Sequence, residues 1–373
     1  MKTEKYEFYH QSNLIQIGNL IDDLHSVHVH LLKLQRRYYR IYGKYASFGR
    51  ICNHITSLKQ RTKQHWNHLP SQVIQQVAKR IHLGYETFFD NIKDRKAGKT
   101  KRKVGRPKIK PLHKYNSLTF TQAGFKIEGN RLTINCIKKS FTFWKHRDWT
   151  GRIKTVTIKR DNVGDYYLYL SCEDCKPSEK FPLTGNVAGA DFGMKTFLTL
   201  SDGTAIVSPE FYKQTLNEIC SANKALSRKQ YLSNGWYRAK RHLCRVHEKI
   251  ANQRRDWFFK LALRLVRKYD RISIETLNLE GMKRLWGRKV SDLAFGEFVL
   301  ILQWTCAKYG KTLLKAGRWT ATTKPCHCCG HHNENLTLSD RQWTCLECGF
   351  PHDRDVNAAI NILRVGVPWT ETR

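Results

Sequence analysis

The sequence predicts a multidomain α+β protein, and three observations carry that reading. Apolar positions recur in helical steps of three and four between about residues 14 and 92, then alternate with period two between Leu118 and Cys172. Beyond these lie two apolar strands, each carrying a single acid, and then two cysteine pairs near the C-terminus. At 373 residues the chain is long enough for a substantial core and for two or three domains.

Taken in order, residues 2 to 9 read as a short strand. The helical block that follows places Leu20, Leu24, Val27, Leu31 and Leu34 on one face. Ser71, after Pro70, stands in N-cap position for a second helix striped by Val73, Ile74, Val77 and Ile81. Between Lys93 and Lys114 eleven Lys or Arg residues face only Asp94 in a Gly/Pro-punctuated segment, which marks a boundary and suits contact with phosphates. The period-two region reads as antiparallel hairpins: Phe125–Glu128 and Arg131–Ile134 across a Gly129-Asn130 turn, then Ile153–Lys159 and Tyr166–Leu170 across Asp161–Gly164. Because residues 2 to 9 are also strand-like, the helices are expected as an insertion between the first and second strands of one β domain, a pairing the sequence leaves open.

The third part begins with Val187–Asp191, a buried-type strand ending in one acid, and a second strand that turns at Ser201-Asp-Gly. A helical stretch from about Thr215 to Tyr269, broken at Ser233–Gly235, carries fourteen Lys or Arg between Lys224 and Lys268 against Glu248 and Asp256. Arg271–Glu275 is another apolar strand ending in an acid, and a helix is expected over about Phe295 to Tyr309.

Composition narrows the function. Lys and Arg number 66 against 31 Asp and Glu, a formal net charge of +35 with pI near 9.9, and such an excess anticipates a polyanion, most simply nucleic acid. The longest apolar runs, such as Phe298–Leu302, fall short of the roughly 18 residues of a spanning helix. The N-terminus lacks the pattern of a signal peptide, so a cytoplasmic location with reduced thiols is expected.

Cys326, Cys329, Cys345 and Cys348 form two CxxC pairs that enclose fifteen residues, the short edge of the spacing by which two pairs supply four thiolates to one tetrahedral Zn²⁺. His327 and Cys328, inside the first knuckle, compete as ligands with poorer loop spacing. Cys172 and Cys175 form a further CxxC without a matching pair and read as incidental cysteines at a strand end; Cys52, Cys136, Cys220, Cys244 and Cys306 are scattered as buried single cysteines are.

Asp191, Glu275 and Asp355 each stand in an apolar context, where an unpaired carboxylate is costly unless it meets a cation or a metal. Taken singly they read as a turn residue, a strand-end salt bridge and an acid favoured by a helix N-terminus. In strand, strand, helix order they match a ribonuclease H-like sheet, in which such acids converge on one edge and hold two Mg²⁺ ions about 4 Å apart. Asp353 competes with Asp355, but residues two apart on a helix point about 200° apart, so one of the two faces the site.

Gly189–Gly193, Ile274–Met282, Lys324–Gly330 and His352–Leu363 together resemble the split RuvC motifs and zinc ribbon of the TnpB family, the OrfB-type proteins of bacterial insertion sequences. The resemblance spans essentially the whole chain, with Leu69–Val77 and Phe88-Phe89 as weaker signals. It implies an RNA-guided DNA endonuclease, related to type V CRISPR effectors, that cleaves double-stranded DNA matched to a bound guide RNA and flanked by a short motif. It implies a wedge β domain (1–10 and 111–183), a helical recognition domain with the basic linker (11–110), a RuvC nuclease domain (184–325 and 351–373) and a zinc-ribbon insertion (326–350). Asp191, Glu275 and Asp355 are then the nuclease triad with two Mg²⁺, and the four cysteines hold one structural Zn²⁺. Phosphate contacts are expected from Lys101, Arg102, Lys103, Arg106, Lys108 and Lys110, and from Arg238, Arg241, Arg245 and Arg254. The location implied is bacterial and nucleoid-associated. The family's glutamate motif commonly continues with Asp, where this chain has Thr276; as a strand neighbour it is expected to point away from the site.

The alternatives are a non-cleaving RNA-guided DNA-binding regulator, against which all three acids argue, and a transposase using ribonuclease H-like acids, against which the ribbon between the second and third acids argues. A histidine-hydrophobe-histidine transposase fails on periodicity, because His28 and His30 lie in a helical pattern that turns them apart.

Overall fold

Strand β1 (Lys2–Phe8) pairs with strands that all follow the helices in sequence. The chain continues through α1 (Leu14–Tyr42), α2 (Phe48–Arg61) and α3 (Ser71–Lys96), then β2 (Ser117–Phe120), β3 (Phe125–Glu128), β4 (Arg131–Ile134), β5 (Lys139–Trp144), β6 (Ile153–Arg160) and β7 (Tyr166–Cys172). The sheet order is β2-β6-β7-β1-β5-β4-β3, antiparallel throughout, so the helices are inserted after a central strand. This is a computed structural model, and it describes residues 2–61, 66–100, 104–121, 123–173, 180–317, 320–337 and 340–366. Contacts divide the chain into two units, Met1–Pro177 and Ser178–Arg373.

In the first unit the alternating faces of β2, β4, β5, β6 and β7 bury Leu118, Phe120, Leu132, Phe141, Phe143, Val156, Ile158 and Leu168. These share one apolar core with Ile17, Leu24, Leu31, Val73 and Val77 from α1 and α3. Several local expectations shift. Pro70 rather than Ser71 occupies the N-cap of α3, with no side-chain cap, and Ser71 is the first helical residue. The fixed φ of proline, −61° here, allows the helix to start without that bond. Helix α3 runs on to Lys96, taking in the first four residues of the basic segment, and α2 and β5 appear where no separate element was expected. The segment after residue 104 lies against the helices: Ile109 packs on the core, and His25 Nε2 lies 2.7 Å from the carbonyl oxygen of Lys110.

His28 packs on Tyr115, while His30 stacks on His54 with Nε2 atoms 3.0 Å apart, so both are packing residues. Cys172 is buried in β7; Cys175, Lys101, Arg102 and Lys103 lie outside the described residues.

The second unit contains β8 (Val187–Asp191), β9 (Leu198–Leu200), β10 (Ala205–Ile206), α4 (Phe211–Gln214), α5 (Leu216–Ser227), α6 (Asn234–Lys268), β11 (Arg271–Ile274), α7 (Leu279–Leu293), α8 (Phe295–Tyr309) and β12 (Thr312–Lys315). A small hairpin, β13 (Gln342–Thr344) with β14 (Pro351–Asp353), leads into α9 (Arg354–Gly366). The five-stranded sheet has the order β10-β9-β8-β11-β12, with β8, β11 and β12 parallel and β9 and β10 antiparallel. Helices α6 and α8 cover it through a phenylalanine cluster: Phe197, Phe258, Phe295 and Phe298, all essentially inaccessible. The break expected at Ser233–Gly235 is a helix start, where Ser233 Oγ accepts the N–H of Trp236 at 3.1 Å. Among the described residues no single helix is long and apolar enough to cross a membrane.

Candidate active site and metal centre

Parallel pairing of β8 and β11 sets Ser273 opposite Gly189 and Ile274 opposite Ala190, so Asp191 and Glu275 leave the same sheet edge side by side. Their carboxyls share a hydrogen bond, and the N–H of Phe192 donates to Glu275 Oε1 at 3.4 Å. Burial, then the charges of Glu275 and Asp355, hold the Asp191 carboxyl well above the usual carboxylate range. Burial also raises Glu275, against the opposing effect of the bonds from Phe192 and Asp191.

The third acid comes from α9. Asp353 Oδ1 accepts the N–H groups of Asp355 and Val356, both at 3.0 Å, so Asp353 caps the helix and Asp355 is the acid that acts on Asp191. Asp355 is held by Arg341 Nη1, at 3.2 and 3.0 Å, and by Arg354 Nη2 at 3.2 Å. Among the described residues the side-chain groups whose ligand atoms all lie within 4.8 Å of one another are cysteine-based. The acids are thus brought to one edge, with Asp191 bonded to Glu275 and Asp355 drawn to the two arginines. Thr276 is exposed and donates to the carbonyl oxygen of Ala316 at 2.7 Å, away from the acids.

Close backbone contact sets the position of α9. A Cβ on Gly189 would overlap the carbonyl oxygen of Ala359, and one on Gly366 would overlap Ser273 Oγ. The glycine of the Gly-Ala-Asp sequence therefore lets the helix bearing Asp355 lie directly on the strand bearing Asp191. Asn357 and Asn361, both buried, tie the same helix to the segment entering the first knuckle. Asn357 Nδ2 donates to Thr323 O at 3.2 Å and Pro325 O at 2.9 Å, and Asn361 Nδ2 to Thr322 O at 2.9 Å and Pro325 O at 2.8 Å. Sequence reasoning missed these asparagines, along with Arg341 and Arg354. Their i, i+4 spacing on an apolar helix was the available signal for the pair.

Cys326, Cys329, Cys345 and Cys348 gather with all sulfurs within 4.8 Å of one another, able to hold one metal ion. Sulfur separations of 3.7 Å (Cys326 to Cys348) and 3.5 Å (Cys329 to Cys345) approach the ~3.8 Å edge of a tetrahedron with metal–sulfur bonds of about 2.3 Å. Each knuckle closes on a left-handed glycine, Gly330 (φ 81°) and Gly349 (φ 67°), whose N–H groups return to the carbonyls of Cys326 and Cys345 at 2.9 Å. His327 is engaged with Asn357 Oδ1 through both its backbone N–H (2.9 Å) and its ring (3.1 Å), and Cys328 stands outside the four-sulfur group. His352, unnoticed in the sequence, is buried with Nε2 at 3.1 Å from Cys326 Sγ, and burial lowers its basicity.

The basic residues separate into two kinds. Arg106, Lys108 and Lys110 are exposed, and Arg238, Arg241 and Arg245 are exposed on α6 at spacings that favour one face. Arg254 is half-buried and engaged within the protein, donating to Ser291 O and Asp292 O at 3.4 Å and pairing with Glu297 at 3.6 Å.

A sequence family described as "Probable transposase" (OrfB_IS605) matches residues 169–285, and one described as "Cas12f1-like, TNB domain" matches residues 295–362. A Streptomyces pristinaespiralis protein named "Putative RNA-guided DNA endonuclease" is 32% identical over 298 residues, which cover 79% of this chain and 71% of that one. "Putative RNA-guided DNA endonuclease InsQ" of Escherichia coli is 26% identical over 342 residues, covering 87% and 82%. Among solved structures, the mini-RNA-guided endonuclease CRISPR-Cas_phi3 is similar in fold, with TM-score 0.52 and 12% identity over 98% of this chain and 93% of that one. The chain belongs to the TnpB family of OrfB-type insertion-sequence proteins.

Proposed function

We propose that this protein is an RNA-guided DNA endonuclease of a bacterial insertion sequence, acting in the cytoplasm at the nucleoid. Asp191, Glu275 and Asp355 would be its RuvC-type, Mg²⁺-dependent catalytic residues. The observation that carries the reading is the gathering of three acids on one sheet edge of a +35 protein, where Asp191 and Glu275 are bonded and Asp191 is raised by its neighbours. Strand order β10-β9-β8-β11-β12 with parallel β8, β11 and β12 supports the reading of a ribonuclease H-like sheet. The family membership supports the same reading.

An all-carboxylate donor set fits a hard divalent cation, and the burial and mutual repulsion that raise Asp191 are what such a cation would offset. Two Mg²⁺ ions held there supply activation of the attacking water and stabilisation of the departing 3′ oxygen. The chain's own residues do the rest. Asp191 and Glu275 would hold the cations as carboxylates, the Phe192 N–H orients Glu275, and Arg341 and Arg354, now paired with Asp355, would be available to phosphate oxygens. The four cysteines would hold one structural Zn²⁺, closed and without an open coordination position, with His352 oriented toward the Cys326 sulfur.

We assign residues 1–10 and 111–183 to the wedge, 11–110 to the recognition helices, 184–325 and 351–373 to the nuclease domain, and 326–350 to the ribbon. Guide RNA and DNA would meet Arg106, Lys108, Lys110, Arg238, Arg241 and Arg245 through phosphates, with sequence chosen by base pairing. Sequencing RNA that co-purifies with the protein tests the guided reading. A discrete RNA from the element, ending in a segment that matches the flanking DNA, is expected; only random cellular RNA would contradict it.

A further inference from the structure

The helical part of the first unit holds a cleft of about 490 Å³ that the proposed nuclease chemistry leaves unused. Its walls are the last turns of α1, the α1–α2 connection and one face of α3. Helix α1 ends at Gly43, whose left-handed φ of 65° and N–H bond to Tyr39 O at 2.9 Å reverse the chain. Gln35 then clamps the returning backbone by bonding both the N–H and the carbonyl of Ala46 at 2.9 Å. This return lays Tyr45 on Tyr39, with ring centroids 4.6 Å apart at 20°, and against Tyr85 at 4.3 Å, while Phe89 meets Tyr45 edge-on at 5.5 Å.

Two further observations suggest what fills the cleft. Tyr85 lines it and is 3% exposed, and its hydroxyl has no hydrogen-bond partner, an omission that is unfavourable unless a ligand supplies one. The lining carries Lys44 and His82 beside one acid, Glu86, and outside it Arg36 and Arg106 both act electrostatically on that hydroxyl. The basic segment also runs beside it, since a Cβ on Gly84 of α3 would stand 3.3 Å from the Pro107 ring. An apolar side chain would leave the hydroxyl unpaired, whereas a nucleotide offers it a partner, a flat face to the tyrosines and a phosphate to the exposed Arg36 and Arg106.

We propose that this cleft receives one unstacked nucleobase of a bound nucleic-acid strand, stacked on the tyrosine rings, hydrogen-bonded at its edge by the Tyr85 hydroxyl and flanked at its phosphate by Arg36 and Arg106. The proposal rests on the nucleic-acid reading above. Its test uses the full-length protein and single-stranded oligonucleotides that carry 2-aminopurine or each natural base at one position, with binding and fluorescence compared among wild type, Tyr45→Ala and Tyr85→Phe. Wild type is expected to quench the probe and to prefer one base. Tyr85→Phe, which keeps the ring and the fold, is expected to retain quenching and lose roughly fivefold to tenfold of that preference; Tyr45→Ala is expected to lose the quenching. Salt-dependent binding with base preference unchanged in Tyr85→Phe overturns the pocket and leaves the nucleic-acid reading standing. No oligonucleotide binding by wild type overturns both. If wild-type self-association is abolished by Tyr45→Ala while quenching is untouched, a protein side chain occupies the cleft and the proposal falls.

Discussion

Asp191 shows how an acid at the end of an apolar strand opposes the fold that carries it. Its raised proton affinity means that the metal-free folded state binds more protons than the unfolded chain, so the stability contributed there is present at low pH and lost as pH rises through the raised value. Asp191→Asn is therefore expected to stabilise the metal-free protein at neutral pH by about 1–2 kcal/mol, seen as a higher melting temperature in EDTA, while abolishing cleavage. His28 works in the opposite sense. Burial, followed by Lys110 and Arg80, lowers it to about 4, so the unfolded chain gains a proton that the folded one refuses between pH 6.5 and about 4. Stability is lost across that window, and His28→Leu is expected to flatten the acid limb of a denaturation profile. The acids were legible in the sequence because a lone carboxylate in an apolar strand needs a reason. Backbone geometry bears on the choice between Asp353 and Asp355, since Asp353 spends its carboxylate on the cap.

At the level of elements, α9 joins the two chemistries. Its N-terminus continues directly from β14, its buried asparagines grip the entrance to the first knuckle, and its backbone lies on Gly189 of β8. Gly189→Val is expected to push α9 off the strand, costing about 1–3 kcal/mol and most of the cleavage activity, with zinc content kept. That separation is readable by metal analysis beside a melting curve. Removing zinc, or Cys345→Ser, is expected to loosen the hairpin that carries Arg341 and leads into Asp355, so cleavage falls while the β1-centred sheet of the first unit keeps its circular dichroism. The cysteine spacing made the four-sulfur group legible. The asparagine clamp was not, because amide side chains on a helix read as solvent-facing until the neighbouring backbone is in place. Helix α2 and strand β5 escaped notice for a related reason: α2 buries only Ile51 and Ile55, and β5 takes part of its pairing from β1 at the start of the chain.

For the whole molecule, fold class followed from local periodicity, whereas topology required long-range pairing. The insertion of three helices behind β1 could be anticipated from a strand-like N-terminus, but the register of Thr3 with Ser171 and of Glu7 with Trp144 is a property of the folded sheet. The excess of positive charge was visible at once, yet Arg254 proved to be an internal brace and Arg106, Lys108 and Lys110 a docked rim, distinctions that only burial makes. The central claim is that the three gathered acids cut DNA chosen by a bound RNA. It is tested most directly by incubating the protein, purified with its co-expressed RNA, with a plasmid bearing the matching sequence in Mg²⁺. Wild type is expected to linearise the matched plasmid and spare an unmatched one, with cutting lost and target binding kept in Asp191→Ala. Tight binding without any cutting by wild type, or undiminished cutting by Asp191→Ala, would contradict it.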